Sequence, residues 1–388
     1  YSICSRYRMV NGILMKAVTY TLVIRVYRKQ AESSVISLLD SYNRHRNRHK
    51  FMAKNDATQA LVSAGSLQEI IHPVKYHLDE FQTYFRNSVR SNVSLLDLIV
   101  RYIARQKGKR VRPALVFLAA ELCGGITERS YIGATMVELL HTATLVHDDV
   151  VDDAEERRGV ASINAVWKNK AAVLVGDFFL SRGLLISVEN GEYDFLRVTS
   201  TDVKRMSEGE LLQIQKSRQK NIDEQTYFQI IADKTASLLS TCCEVGAMSA
   251  SPDIKSHEAM RLYGEHCGLA FQIRDDILDY ISRTTILGKP VGNDLREKKV
   301  TLPLIHACSV VEPAEAKKII KLVKSGKITN EGIEYVHDFV KRNGGIEYSI
   351  AVAQREAEKA IAQLAYFPES QAKQSLTQFA YYVIHRKK

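Results

Sequence analysis

Two short acidic runs in this sequence have the composition and spacing to do chemistry. The first is Asp148-Asp149-Val150-Val151-Asp152 and the second is Asp275-Asp276-Ile277-Leu278-Asp279. On an α-helix, positions i, i+1 and i+4 fall within an arc of roughly 100°, so each run puts three carboxylates on one face. Like charges that close repel each other. The neighbours are apolar: Leu145, Val146, Val150 and Val151 around the first run, and Leu269, Phe271, Ile273, Ile277 and Leu278 around the second. Clustered acids on an apolar helix call for a compensating cation. All-oxygen ligands select hard ions, and magnesium characteristically binds through one or two carboxylates plus substrate phosphates. Two such clusters facing each other would hold a diphosphate between them through shared magnesium. A single run of this kind could be a solvated acidic face; two inside apolar frames are harder to read that way.

The elements that must carry these runs read as helices. Leu95, Leu96, Leu98, Ile99, Tyr102 and Ile103 recur at three- and four-residue steps, and 131–153, 227–250 and 257–281 continue the pattern. No proline occurs between Pro113 and Pro252, and proline is the residue a helix interior tolerates least. Glycines such as Gly124-Gly125, Gly191 and Gly292 punctuate the helices as turns. The fold class expected is all-α: a single large helical bundle around a central cavity, helical from Ser66 onward within a domain spanning 52–388.

Residues 1–51 are set apart. Ten Lys/Arg and two acids lie in the first fifty positions, so that segment carries +8 of the chain's +10. Its semi-apolar run, Ile13 to Tyr27, is interrupted by Lys16 and Arg25 and is too short and too charged to span a bilayer. Two readings stand: an organelle-targeting peptide, or sequence upstream of a start at Met52. The rest of the chain is close to neutral, which argues against a nucleic-acid footprint. The six cysteines form no C-x-x-C pair, which points to a reducing, cytoplasmic compartment rather than a disulfide scaffold. There is no zinc spacing, P-loop or dinucleotide fingerprint. No transmembrane span is expected, and peripheral contact with a membrane stays open.

In order along the chain stand Gly108-Lys109-Arg110-Val111-Arg112-Pro113, Glu138-Leu139-Leu140-His141, the first aspartate run, and Arg157-Arg158-Gly159. Gly176-Asp177, Gly209-Glu210 with Gln213, and Lys234-Thr235 follow. Phe271-Gln272 precedes the second run, and Gly288-Lys289-Pro290 and Gly292-Asn293-Asp294-Leu295 come after it. With these elements the sequence resembles the trans-isoprenyl (polyprenyl) diphosphate synthases over nearly all of 66–388.

The resemblance implies the isoprenoid synthase fold, a homodimer and magnesium, three ions bound with the allylic diphosphate. It implies that Asp148, Asp149, Asp152, Asp275, Asp276 and Asp279 hold the metal. Lys109, Arg112, His141 and Arg158 would bind isopentenyl diphosphate. Arg157, Lys234, Thr235, Gln272, Lys289 and Lys299 would contact the allylic diphosphate. Arginine forks match phosphate oxygens in pairs, while lysine acts as a point charge. Lys298 departs from the pattern, standing where the family has glycine, so Lys298 itself is an alternative to Lys299. His147 abuts the aspartates and either binds or supports them. The tail His385-Arg386-Lys387-Lys388 adds charge or frays. The segment 282–299 reads as a loop that closes over the site and excludes water.

The reaction implied is head-to-tail condensation. The allylic diphosphate ionises with metal assistance, isopentenyl diphosphate attacks the cation, and a proton is lost. The growing chain is expected to run along the apolar side of the first aspartate helix, past Ala143 and Leu140. Ala143 is small where a bulky aromatic stops growth early in this family, so a product of six to ten isoprene units, as in quinone side chains, is expected. The alternatives are a short-chain farnesyl or geranylgeranyl diphosphate synthase and a non-catalytic subunit of a heteromeric synthase. A terpene cyclase is disfavoured, because both aspartate runs and Gly-Lys-x-x-Arg-Pro are present.

Overall fold

Three prolines fall where helices begin. In the computed structural model, Pro113 lies in the first turn of Val111–Cys123, Pro303 is the second residue of Leu302–Ser309 and Pro313 opens Pro313–Lys324. There the missing N–H would have had no partner in any case. The structure describes residues 65–105, 109–157, 159–217, 223–281, 292–326 and 328–386. The basic segment 1–51, Arg158, Lys289 and most of the loop 282–299 lie outside the described residues.

The helices in chain order are α1 (Leu67–Ile71), α2 (Lys75–Ser88), α3 (Ser94–Arg105), α4 (Val111–Cys123), α5 (Glu128–Val151) and α6 (Ile163–Glu189). They continue with α7 (Tyr193–Ser217), α8 (Glu224–Ile231), α9 (Ser237–Ala250), α10 (Ile254–Ile281) and α11 (Asn293–Arg296). The last five are α12 (Leu302–Ser309), α13 (Pro313–Lys324), α14 (Asn330–Arg342), α15 (Gly345–Gln363) and α16 (Gln371–His385). Among the described residues the only sheet is a two-stranded antiparallel hairpin, β1 (Glu156–Arg157) and β2 (Val160–Ala161). The expected all-α bundle is what the chain forms.

Side-chain caps fix several starts. Ser66 and Glu69 make a reciprocal capping box at α1, Thr127 and Ser130 another at α5, and Asp223 accepts the Thr226 N–H at α8. Each satisfies backbone donors that a helix start leaves open.

Helix α9 is the central packing element. It lies against α4, α5, α7 and α10, while α5 runs along α6 and α10 along α15. Its residues from Ser237 to Cys243 are all buried, as expected of a helix surrounded by others. One apolar cluster gathers α4 and α9 residues such as Phe117, Leu118, Leu239 and Cys243, together with Tyr263 and Leu376. A second lies among Ile273, Leu302, Val336 and Phe339, and a third among Met136, Leu139, Ala143, Phe179 and Phe195. Both aspartate runs sit at the C-terminal ends of long helices, α5 and α10, whose bodies are anchored in these clusters.

Candidate active site

Helix α5 delivers the first run to its last turn. Asp148 and Asp149 are helical, and Asp152 caps the helix with its N–H on the Asp148 carbonyl. Asp149 is buried, and Arg157 from the hairpin donates Nε to its Oδ1 at 2.6 Å. The hairpin thus folds Arg157 back onto the run eight residues before it. Burial raises the Asp149 pKa and the Arg157 guanidinium opposes that rise. Asp148 reaches solvent, yet the protein packed around it raises its pKa as well. Lys234 lowers it, Glu210 and Asp152 raise it and Arg157 lowers it. Burial therefore outweighs the cations now present, which is where a further positive charge is called for.

His147 is used between helices. Its Nε2 stands 3.3 Å from the Val173 carbonyl and 3.5 Å from Asp177, and the ring fills the space that a Cβ on Gly176 would occupy. It braces the aspartate helix against α6.

The second run is wired differently. Asp276 is buried and accepts the Tyr227 hydroxyl at 2.6 Å and Gln272 Nε2 at 2.8 Å. Thr235 Oγ1 donates to Gln272 Oε1 at 3.0 Å. A continuous relay, Thr235 to Gln272 to Asp276 to Tyr227, therefore joins two sequence motifs separated by a helix. Burial, and after it the charge of Asp294, pushes the Asp276 pKa far up. Asp275 turns away from the relay and pairs with Arg386 at 2.6 Å. Both Asp279 oxygens accept backbone N–H groups, from Asn293 at 3.2 Å and Asp294 at 3.1 Å, and so tie down the start of α11.

Lys234 comes from a π turn, Ala232–Ala236, between α8 and α9. Such turns are rare and concentrate at functional positions. Its ammonium pairs with Glu210, which also accepts Gln213 Nε2 at 3.2 Å. Lys299 sits 2.5 Å from Glu297 and 3.8 Å from Asp294. Burial lowers its pKa, but those two carboxylates outweigh burial and the net shift is upward, so the ammonium stays charged.

Lys234, Thr235, Gln272, Asp276 and Lys299 all line one open cleft of about 210 Å³, together with Gln213, Tyr227 and Lys298. Five residues assigned from sequence to the allylic diphosphate and its metal thus share one wall. Arg112 on α4 and His141 on α5 lie on neighbouring helices, His141 buried and Lys109 exposed. Arg112, Asp202 and Glu138 all act on the buried Cys242 thiol, whose pKa burial drives far up. Leu140 lines a separate, small apolar pocket of about 20 Å³ between α5, α6 and α7, with Met136, Leu180, Gly183, Leu184, Thr199, Ser200 and Val203. Ala143 does not line it; it is buried in the cluster shared by α5 and α6.

The chain matches the description "Polyprenyl synthetase" over residues 93–340. It belongs to that family. It is 37% identical over 311 residues to the all-trans-nonaprenyl-diphosphate synthase (geranyl-diphosphate specific) of Rhodobacter capsulatus, covering 80% of this chain and 94% of that one. It is 36% identical over 298 residues to the octaprenyl diphosphate synthase of Escherichia coli, covering 77% and 92%. The structure of a polyprenyl synthase from Caulobacter crescentus complexed with calcium and isoprenyl diphosphate matches with a TM-score of 0.77 at 33% identity, covering 84% and 100%.

No sequence motif assigns a role to Tyr227, Asp294 or Glu210, and Arg386 falls within the C-terminal tail. Glu210 was visible beside Gly209. Tyr227 was not, because it lies on an ordinary amphipathic helix 49 residues from its partner. Lys298 adopts φ 60°, the left-handed region that favours glycine. The glycine that the resemblance places there would adopt this conformation without strain.

Proposed function

We propose that this chain is a metal-dependent trans-prenyltransferase. It condenses isopentenyl diphosphate head-to-tail with an allylic diphosphate and extends the product to six to ten isoprene units, the length used in quinone side chains. The observation that carries this is the cleft where Lys234, Thr235, Gln272, Asp276 and Lys299 meet, in a chain whose relatives are named as nonaprenyl and octaprenyl diphosphate synthases.

The donor set suits magnesium. It is all oxygen, and burial holds Asp148, Asp149 and Asp276 in want of positive charge. Among the described residues no three potential ligands converge on one point. Asp148, Asp149 and Asp152 from α5, and Asp275, Asp276 and Asp279 from α10, are the residues that would hold it. When bound, magnesium supplies Lewis-acid stabilisation of the diphosphate leaving group.

The chain's own groups do the rest. Lys234 and Lys299 bring positive charge to the allylic diphosphate. Thr235 orients the Gln272 amide, and Gln272 and Tyr227 fix Asp276. Arg157 holds Asp149 at the mouth of α5. Lys109, Arg112 and His141 take the diphosphate of isopentenyl diphosphate, and the apolar body of α5 shields the cation formed on the allylic chain from water.

A second copy of the chain is proposed to cover α6. That helix exposes Val166, Val173, Leu174, Leu184, Leu185 and Val188. Among the described residues it is the one helix long and apolar enough, by length and composition, to cross a membrane, and 39% of that window is buried within the chain. A homodimer without detergent in light scattering supports the second copy, and a detergent requirement opposes it. Cys123, Cys242, Cys243, Cys267 and Cys308 are free thiols, which supports a cytoplasmic setting.

The test uses the protein with farnesyl diphosphate, labelled isopentenyl diphosphate and magnesium, with products sized after dephosphorylation. A ladder ending at thirty carbons or beyond, abolished by a chelator, is the expected result. Folded protein that incorporates no label with any starter rejects the proposal.

A further inference from the structure

Lys234 owes its place in the cleft to how the turn beneath it is held. The π turn Ala232–Ala236 is clasped between α7 and α10. On the α7 side, a Cβ added to Gly209 would stand 2.9 Å from Asp233 Cβ and 3.1 Å from Lys234 N. On the α10 side, a Cβ on Gly268 would stand 2.4 Å from Ala236 Cα. Any side chain at either position would push the turn aside, so both helices touch its backbone directly.

A polar clamp lies on the same stripe of α7. Asp202, Arg205 and Gly209 are spaced i, i+3 and i+7 and share one face. Arg205 donates Nε to Asp233 Oδ1 at 2.8 Å, and a second guanidinium nitrogen lies 3.3 Å from Glu265 Oε1 on α10. Glu265 is held in turn by Arg261 Nη1 at 2.9 Å. Ser237 Oγ donates to the Asp233 carbonyl at 2.7 Å. One guanidinium thus joins α7, the π turn and α10. Asp233 faces this clamp while its neighbour Lys234 faces the cleft and pairs with Glu210, the residue after Gly209.

We infer that Arg205 is a positioning residue for Lys234, acting through its ion pair with Asp233. The pair fixes the rotation of the π turn and so the point at which the Lys234 ammonium meets the diphosphate. This rests on the role proposed above for Lys234. Arg205 contacts no substrate, and its effect must pass through the lysine.

The test is a double-mutant cycle. Binding of inorganic diphosphate in the presence of magnesium is measured by calorimetry for the wild type, Arg205→Ala, Lys234→Ala and the double variant, with a thermal midpoint for each. KM for both substrates and kcat are measured in parallel. Lys234→Ala is expected to weaken binding about tenfold and Arg205→Ala about fivefold. In the Lys234→Ala background, Arg205→Ala should cost less than twofold. Arg205→Lys should recover most of the loss, and KM for isopentenyl diphosphate should not move. Asp233→Asn, which keeps size and removes charge, replaces Arg205→Ala if that variant does not fold. An equal loss in both backgrounds overturns the inference, as does unaltered binding in Arg205→Ala. Unaltered binding in Lys234→Ala instead removes the role of Lys234, and the positioning role falls with it.

Discussion

The Tyr227 hydroxyl donates to Asp276 at 2.6 Å, and both side chains are buried. A buried phenol and carboxyl group at that distance make a short hydrogen bond with no water to replace it. Tyr227→Phe keeps the ring and its packing and removes only the donor. Expected are a stability loss of about 1–3 kcal/mol and a drop of about tenfold in kcat, as Asp276 loses a fixed orientation. Thermal melts and steady-state kinetics check both. A lowered midpoint with unchanged kcat would confine Tyr227 to the fold.

Arg386 holds one carboxylate of the second run. It pairs with Asp275 at 2.6 Å, its guanidinium lies 3.7 Å from the Phe271 ring centre, and its carbonyl accepts both Arg274 Nε and Nη2. Asp275 is 41% exposed, so solvent screens the pair and its worth is about 1 kcal/mol. Arg386→Gln should therefore lower the magnesium concentration needed for half-maximal diphosphate binding, by about threefold to fivefold. Calorimetric titration of magnesium against protein and diphosphate reads this directly. A higher requirement would mean that Arg386 shapes the metal-binding position of Asp275 rather than competing for it.

Asp202 predicts a pH dependence. Burial raises its pKa from 3.8 to about 6, against the nearby Ser237 hydroxyl and the Arg205 charge. A carboxyl with a raised folded pKa binds more protons when folded than when unfolded across that interval. Its contribution to stability is therefore most favourable below about pH 4 and is lost as pH rises through about 6. The loss is about 3 kcal/mol at about 1.36 kcal/mol per pH unit. Asp202→Asn should raise the thermal midpoint at pH 8, by about half as much at pH 5, and change it little at pH 3.5. Equal changes at all three pH values would show that Asp202 does not titrate in this range.

Lys298 stands at φ 60° on the rim of the cleft, with its side chain lying over Gly326. A left-handed non-glycine residue costs about 1–2 kcal/mol, and such strain is commonly retained at functional sites. Lys298→Gly relieves that strain and removes a cation. Stability should rise by up to about 1 kcal/mol, because glycine's greater unfolded-state entropy offsets part of the gain. Affinity for the allylic diphosphate should fall. If affinity is unchanged, Lys298 is a tolerated substitution and Lys299 alone serves there.

What the sequence made legible was whatever short-range spacing encodes. The runs Asp148–Asp152 and Asp275–Asp279, the helices that carry them and the order of the basic motifs are all local patterns, and the helical bundle follows from them. Partners were not legible. Asp149 and Asp276 hold the same place in their runs, yet one meets Arg157 eight residues on and the other meets Tyr227, 49 residues away. Asp279 looks like a third member of its run, but it caps α11 through two backbone amides. These differences come from chain closure at long range, which no periodicity reports. The π turn was equally hidden, since Ala232–Ala236 interrupts a run that reads as continuous helix.

Product length separates two positions on α5. Ala143 is 2% exposed and packed in the cluster shared with α6, whereas Leu140, one turn earlier, lines the small apolar pocket of about 20 Å³. The pocket lies farther from the aspartates than Ala143, so a chain growing along the proposed path would pass Ala143 before it met Leu140. Ala143→Tyr inserts a large ring into a closed cluster. It should shorten the product, and overpacking should cost about 1–3 kcal/mol of stability. Leu140→Ala removes a side chain from the cavity wall. It should lengthen the product by at least one isoprene unit, at a stability cost of about 2–5 kcal/mol. Chromatography of dephosphorylated products from each variant tests both positions on one scale. A longer product from Leu140→Ala beside a shorter one from Ala143→Tyr places the chain's path along this face of α5. If Leu140→Ala leaves the product unchanged while Ala143→Tyr shortens it, the path turns off before the cavity, and the limit on length lies between those two residues.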